Sequence, residues 1–287
     1  MGGRDYPIER VLFVEAWRDY SADFAENTVV GDLRYLPAVW SPQLENERPI
    51  YVWLPDSYRG SEKRYPVIYM HDGQNLFDAA ISFCGEWRVD ETLSELGAGG
   101  VEAIVVGIPN VGTDRCNEYS PFADLRRGGG CGDEYLDFIA STLKPLIDRD
   151  FRTLPGRDHT GIAGSSMGGL ISLYAAFARP ETFGFAGALS PSLWFADRAI
   201  YGLIQRSASR PGRLYMDIGT AEGAWMVHDT RRMAALLRAK GLDESLVYLE
   251  DPEAPHTESA WADRLGLALM CLLRGRAARP VLGALVE

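Results

Sequence analysis

Apolar residues along the chain gather into short unbroken runs. These runs are separated by longer stretches where apolar residues recur every three or four positions. The short runs cover residues 50–54, 67–70, 101–108, 160–164, 183–189, 214–218 and 246–249. They are rich in β-branched and aromatic residues, and several are bounded by proline or glycine (Pro49, Pro55, Pro66, Gly73), which predicts strands. An earlier strand is expected between Thr28 and Trp40. Several runs are apolar on both faces, as a sheet covered on both sides requires. Between them, Tyr135, Phe138, Ile139, Leu143, Leu146 and Ile147 repeat at helical spacing. So do Leu170, Leu173, Tyr174 and Phe177 ahead of Pro180, Met233, Leu236 and Leu237 ahead of Gly241, and Trp261, Leu265, Ala268, Leu269 and Leu272.

Strand–helix alternation of this kind predicts an α/β fold with a mostly parallel central sheet flanked by helices. No Pro/Gly/Ser-rich linker divides residues 1–287, so one domain is expected, with a core at about 41–274 and an extension at each end. A composition of 46% hydrophobic and 24% charged residues suits a folded globular chain. Lys+Arg number 29 against 40 Asp+Glu, a net charge of −11, which argues against nucleic acid as a partner. No run approaches the roughly 18 apolar residues of a membrane span, and the first residues lack the apolar stretch of a signal peptide. A cytoplasmic protein without a membrane partner is expected. The sequence is silent on oligomeric state. None of Cys84, Cys116, Cys131 and Cys271 forms a CxxC pair. Cys116 and Cys131 are spaced for a loop disulfide, but reduced thiols are expected, and Cys271 reads as a small core residue.

Chemistry enters with Gly164-Ser165-Ser166-Met167-Gly168, which fits G-x-S-x-G between a predicted strand and a predicted helix. Ser166 rather than Ser165 has glycine two residues away on both sides, and is the expected nucleophile. A serine needs a base, and in α/β-hydrolases the chain order is Ser, then Asp/Glu, then His. His71 and His159 precede the serine, and His228 lies between the sixth predicted strand and its helix. His256 follows the seventh strand and is the expected base. Glu222, just past the sixth strand, is the expected acid, with Asp229 and Asp251 as alternatives and a Ser–His dyad also open. The expected oxyanion donors are the backbone N–H groups of Met167 and, in the turn His71-Asp72-Gly73-Gln74-Asn75, of Gln74. Asp72 and Asp78 have no histidine cluster beside them, so neither metal nor cofactor is expected. Only 24 residues separate Leu189 from Leu214, too few for a large cap. Trp87, Tyr119 and Trp194 fall near strand ends and are expected to line the substrate pocket. Arg115 reads as solvated, or as a contact for an anionic group.

Together these residues resemble the putative esterase family of α/β-hydrolases, which includes esterase D (S-formylglutathione hydrolase) and feruloyl, acetyl xylan and enterochelin esterases, as well as mycolyl transferases. The resemblance runs from about Ser41 to Leu265. It rests on Val52-Trp53-Leu54-Pro55, Tyr69-Met70-His71-Asp72-Gly73-Gln74-Asn75-Leu76-Phe77-Asp78, Glu118-Tyr119-Ser120-Pro121, the Gly164–Gly169 elbow, Leu189-Ser190-Pro191-Ser192-Leu193-Trp194, and His256-Thr257-Glu258 with Trp261. It implies Ser166 as nucleophile, His256 as base, and Gln74 and Met167 as oxyanion donors, and it supports Glu222 as acid. The implied function is a serine esterase acting through an acyl-enzyme on small acyl, phenolic, sugar or siderophore-type esters. Acyl transfer or thioester hydrolysis by the same residues is the enzymatic alternative, and a non-catalytic binding protein the alternative of another class.

Overall fold

The computed structural model describes residues 16–24 and 26–274. Its nine described strands are β1 (Arg18–Asp19), β2 (Asp32–Ser41), β3 (Asn46–Leu54), β4 (Val67–His71), β5 (Ile104–Ile108), β6 (Thr160–Ser165), β7 (Phe185–Leu189), β8 (Arg213–Gly219) and β9 (Leu246–Asp251). They form one sheet in the order β1-β2-β3-β5-β4-β6-β7-β8-β9. The first strands, up to the β3–β5 pair, run antiparallel, and from β5 to β9 all pairs are parallel. The predicted α/β class is the one observed. Alternate residues of a strand feed opposite faces: Val67 and Tyr69 of β4 join one apolar cluster, Ile68 and Met70 the other. The first cluster takes the helices Met167–Ala178, Phe195–Arg206 and Ala224–Leu237, and the second takes Val89–Ala98 and Glu258–Arg274.

Three local differences from the sequence pattern have simple causes. β3 starts at Asn46 and runs through Pro49, where the pattern placed a boundary. Pro49 has no amide to pair. It lies opposite a register shift between Leu36 and Val39 of β2, and β5 pairs with β3 only at Tyr51–Trp53. β5 begins at Ile104 rather than Val101, because ladder pairing starts where the Ile104 N–H reaches the Pro66 carbonyl at 2.9 Å. The helical stretch around Tyr135 passes from Gly132–Phe138 through a π-helical turn, Ile139–Leu143, into Lys144–Asp150. Pro145 has no N–H for the preceding turn, and the ladder widens just before it. The four cysteines are free thiols, with Cys271 buried in the last helix. No described helix is long and apolar enough to cross a membrane.

Candidate active site

β6 ends at Ser165 and the next helix begins at Met167, so the chain turns at Ser166. Ser166 has φ 55° and ψ −117°, a conformation a non-glycine residue adopts only under constraint. The constraint is close packing. A Cβ on Gly164 would come within 2.9 Å of the His71 ring, and one on Gly168 within 3.1 Å of His71 Cβ. The Ser166 N–H donates to the Leu189 carbonyl at 3.0 Å, and its carbonyl accepts the Ser192 N–H at 2.9 Å. Ser166 Oγ lies 3.2 Å from Ser192 Oγ, at the N-terminus of a helix whose free N–H groups favour negative charge.

On one side of Ser166, β8 ends at Gly219 and a 3₁₀ turn, Thr220–Glu222, follows. A Cβ on Gly219 would stand 2.2 Å from the Ala254 carbonyl, so the turn can seat against the His256 loop only with glycine there. Glu222 Oε2 and His256 Nδ1 are 2.6 Å apart. An ionised carboxylate only accepts, so Nδ1 carries the proton and Nε2 is left as the basic nitrogen. The Glu222 side chain is fully buried, while that of His256 is 32% exposed. The other Glu222 oxygen accepts the Gly219 N–H at 2.8 Å and the Ser190 hydroxyl at 2.5 Å. Burial opposes ionisation of Glu222, but the hydrogen bonds from His256, Ser190 and Gly219 outweigh it and hold the carboxyl below its ordinary range. Ser190 Oγ in turn accepts Trp261 Nε1 at 2.9 Å and Arg264 Nη2 at 3.0 Å, which uses all the capacity of one hydroxyl. Arg264 also reaches both oxygens of buried Asp217, at 3.0 and 3.3 Å. The His256 ring meets Trp261 edge-on, with centroids 4.8 Å apart.

On the other side, β4 ends at His71 and the chain turns through Asp72, at φ 55° and ψ 45°, into the 3₁₀ turn Gly73–Asn75. A Cβ on Gly73 would stand 2.6 Å from the backbone of Gly107 and Ile108, so only glycine fits. The Asp72 N–H donates to Tyr119 Oη at 3.0 Å. Its carboxylate accepts Arg115 Nε and Nη2, both at 2.8 Å, and Asn110 Nδ2 at 2.7 Å. Burial alone would raise the Asp72 carboxyl, but the Arg115 fork holds it below its ordinary range. The Asn110 N–H closes the loop by donating to Gln74 Oε1 at 3.2 Å. His71 is buried with Nδ1 2.8 Å from Tyr135 Oη, and burial pushes its ring down to about 3, so it is neutral.

A cavity of about 850 Å³ opens where these two sides meet. Ser166 and His256 line it together with Asp72, Gln74 and Arg115, and Ile81, Phe83, Trp87 and Trp261 supply apolar wall.

The model of the family described as "Putative esterase" matches residues 41–270. The chain belongs to this family. The esterase is 30% identical to the uncharacterized protein YbbA of Bacillus subtilis over 220 residues, 70% of this chain and 82% of that protein. It is 29% identical over 161 residues to the siderophore enterobactin esterase of Emericella nidulans, covering about half of each: 50% of this chain and 52% of that one. Among solved structures, it is similar to an IroE-like serine hydrolase from Shewanella oneidensis, with a TM-score of 0.69 at 22% identity over 84% of this chain and 80% of that one. It is similar also to the enterobactin esterase FES of Shigella flexneri, with a TM-score of 0.69 at 22% identity over 86% and 60%. The fold is that of the α/β-hydrolases, and the protein is an ester hydrolase.

Of the residues expected at the site of this esterase, Ser166, His256, Gln74 and Trp87 lie on the cavity wall. Glu222 lies behind His256, and Met167 begins the helix after the serine, largely buried. Three expectations are corrected. Tyr119 is not a wall residue: it is fully buried beneath the Asp72 turn, its ring tilted against those of His71 and Tyr135. Trp194 packs beside Phe195 and Trp225 with Arg127 over its ring, which holds it at a separate surface depression with Ala123–Arg127. Arg115 is not a free surface arginine but is pinned to Asp72 on the cavity wall, partly exposed. The alternative acids are paired with arginines, Asp229 with Arg198 at 3.0 Å and Asp251 with Arg264 at 3.4 Å, while His256 Nδ1 meets Glu222. His159 and His228 are exposed. Sequence reading missed Ser190, Asp217 and Arg264. Their one signal was that Trp261 and Arg264 stand three apart on the last helix, and so share a face.

Proposed function

We propose that this esterase is a serine carboxylic-ester hydrolase in which Ser166, His256 and Glu222 act as a triad. The observation that carries the reading is the 2.6 Å contact between buried Glu222 and His256 Nδ1, at the edge of the cavity onto which Ser166 opens. Ser166 Oγ attacks the ester carbonyl carbon as His256 Nε2 takes its proton. The carbonyl oxygen becomes an oxyanion received by the backbone N–H groups of Met167 and Gln74. As the tetrahedral intermediate collapses, the C–O bond to the alcohol breaks and His256 returns the proton to the leaving oxygen. The acyl group is now an ester of Ser166. Water, deprotonated by His256, repeats the sequence and frees the acid. Glu222 holds the Nδ1–H tautomer and stabilises the imidazolium without taking its proton.

The substrate class is small acyl, phenolic, sugar or siderophore-type esters. The roomy cavity, with Trp87, Trp261 and Phe83 along it, suits an acyl group with a flat ring. Relatives named siderophore and feruloyl esterases are consistent with that choice. Turnover of p-nitrophenyl acetate and of feruloyl and catecholate esters tests the reading. Ser166→Ala is expected to lower kcat by about 10⁴-fold or more. Full activity in that variant would refute it.

A further inference from the structure

Outside the serine site, the carboxylates of Glu86, Asp90 and Glu91 converge, offering oxygens within 4.8 Å of one another. Asp90 is completely buried. Its Oδ2 accepts the Val30 N–H at 2.6 Å, but its Oδ1 is buried with no hydrogen-bond partner. Glu91 Oε2 is buried and unpartnered as well. A buried carboxylate oxygen with no donor is strongly disfavoured, and the adjacent Asp90 and Glu91 carboxyls approach to hydrogen-bond distance, so a proton or a cation must lie between them.

Buried Asp78 nearby is satisfied by neutral donors from Tyr20, Thr28 and Ala80, and three other buried carboxylates are matched by cations. Glu118 takes both Arg48 nitrogens at 2.7 Å, Asp72 takes Arg115, and Asp217 takes Arg264. Beside Glu86, Arg88 instead extends to Asp263 at 3.3 Å. The neutral donors here are few: the Val30 amide, and the Thr28 hydroxyl, 3.1 Å from Glu86 Oε1.

We propose that Glu86, Asp90 and Glu91 bind a hard divalent cation of the Ca²⁺ type that braces one wall of the cavity. The donor set is all oxygen, without histidine or cysteine, which favours Ca²⁺ over softer metals. Three carboxylates tolerate the irregular six- to eight-oxygen shell of Ca²⁺ better than the strict octahedron of Mg²⁺.

The position explains what the ion does. Glu86 precedes Trp87, a cavity residue whose N–H donates to the Asn75 carbonyl at 2.8 Å. Asp90 and Glu91 open the helix Val89–Ala98, and the Val89 N–H donates to the Leu76 carbonyl at 3.0 Å. Thr28 reaches both Asp78 and Glu86. An ion at this point therefore ties the Thr28–Val30 segment and the start of the helix to the wall loop that carries Trp87.

The test uses the full chain, stripped with EDTA and titrated with Tb³⁺, whose emission nearby tryptophans sensitise. Emission is expected to saturate at one ion per chain and to be displaced by Ca²⁺ at lower concentration than by Mg²⁺. Ca²⁺ at a hundredfold excess over its Kd is expected to raise Tm by about 5 °C. Glu91→Gln and Glu86→Gln are each expected to weaken binding by about tenfold or more. Both should leave p-nitrophenyl acetate hydrolysis without added metal within about threefold of the unsubstituted chain. Absence of saturable emission up to about 1 mM ion would overturn the proposal. So would undiminished binding in both variants, or a Glu91→Gln chain with a raised Tm and a parent indifferent to Ca²⁺, the mark of a shared proton.

Discussion

Behind Glu222, hydrogen bonds and opposite charges hold the site. Ser190 Oγ gives its one proton to the carboxylate and takes Trp261 and Arg264, and Arg264 neutralises Asp217 below. Behind Gln74, close packing does most of the work. Gly73 touches the β5 backbone, and the neutral His71 ring fills the space that Gly164 and Gly168 leave open. The charged Asp72–Arg115 fork lies at the cavity edge of that packing. The contrast teaches that the two sides fail to different changes. An isosteric loss of charge should cripple the acid side, and an added methyl group the oxyanion side.

Among changes that separate the two sides, the largest effect is expected from Glu222→Gln, which keeps the shape and removes the charge. The amide gives the wrong hydrogen-bond polarity to His256 and Ser190. By analogy with the Asp→Asn change in a Ser-His-Asp enzyme, kcat should fall by about 10³- to 10⁴-fold, with the thermal midpoint changed far less. Steady-state kinetics beside a melting curve checks both halves.

Next comes Gly73→Ala. Its new methyl would stand 2.6 Å from backbone that cannot swing away. A destabilisation of about 3 kcal/mol is expected by urea unfolding, with a matching loss of kcat if the Gln74 N–H is displaced. A fall in activity without a fall in stability would show the turn to be softer than the packing implies.

His71 supplies a pH signature that belongs to the oxyanion side. In the unfolded chain its ring takes a proton below about pH 6.5, whereas in the folded chain burial delays this to about 3. The stability from keeping it neutral is therefore complete above the unfolded value and is lost as pH falls towards the folded one. Between pH 7 and 5 the loss should be about 2 kcal/mol. A folded His71→Gln variant should show a flatter profile by urea unfolding across that range.

Arg115→Lys should have the smallest effect. Lysine keeps the charge but cannot fork onto both Asp72 oxygens. A roughly tenfold loss of kcat with little change in KM is expected from a loosened turn. A change confined to KM would instead make Arg115 a substrate contact.

The architecture was legible because β4 to β8 are buried on both faces and read as apolar runs between glycines and prolines. The elbow was legible for a related reason: glycine two residues either side of Ser166 is what close approach to His71 demands. The support behind Glu222 was not legible. Ser190, Asp217 and Arg264 come from the ends of two strands and from a helix, and nothing local links them. Tyr119 and Trp194 misled because standing near a strand end does not tell which way a ring turns. One ring went beneath the Asp72 turn, and the other to the outer surface beside Arg127.

The most direct test of the account is the intact mass of the protein after treatment with a fluorophosphonate. The account predicts one covalent phosphonyl adduct per chain, located on Ser166 by peptide mapping and absent from Ser166→Ala. A folded, unsubstituted protein that gains no adduct, or a Ser166→Ala protein that gains the same one, would contradict it.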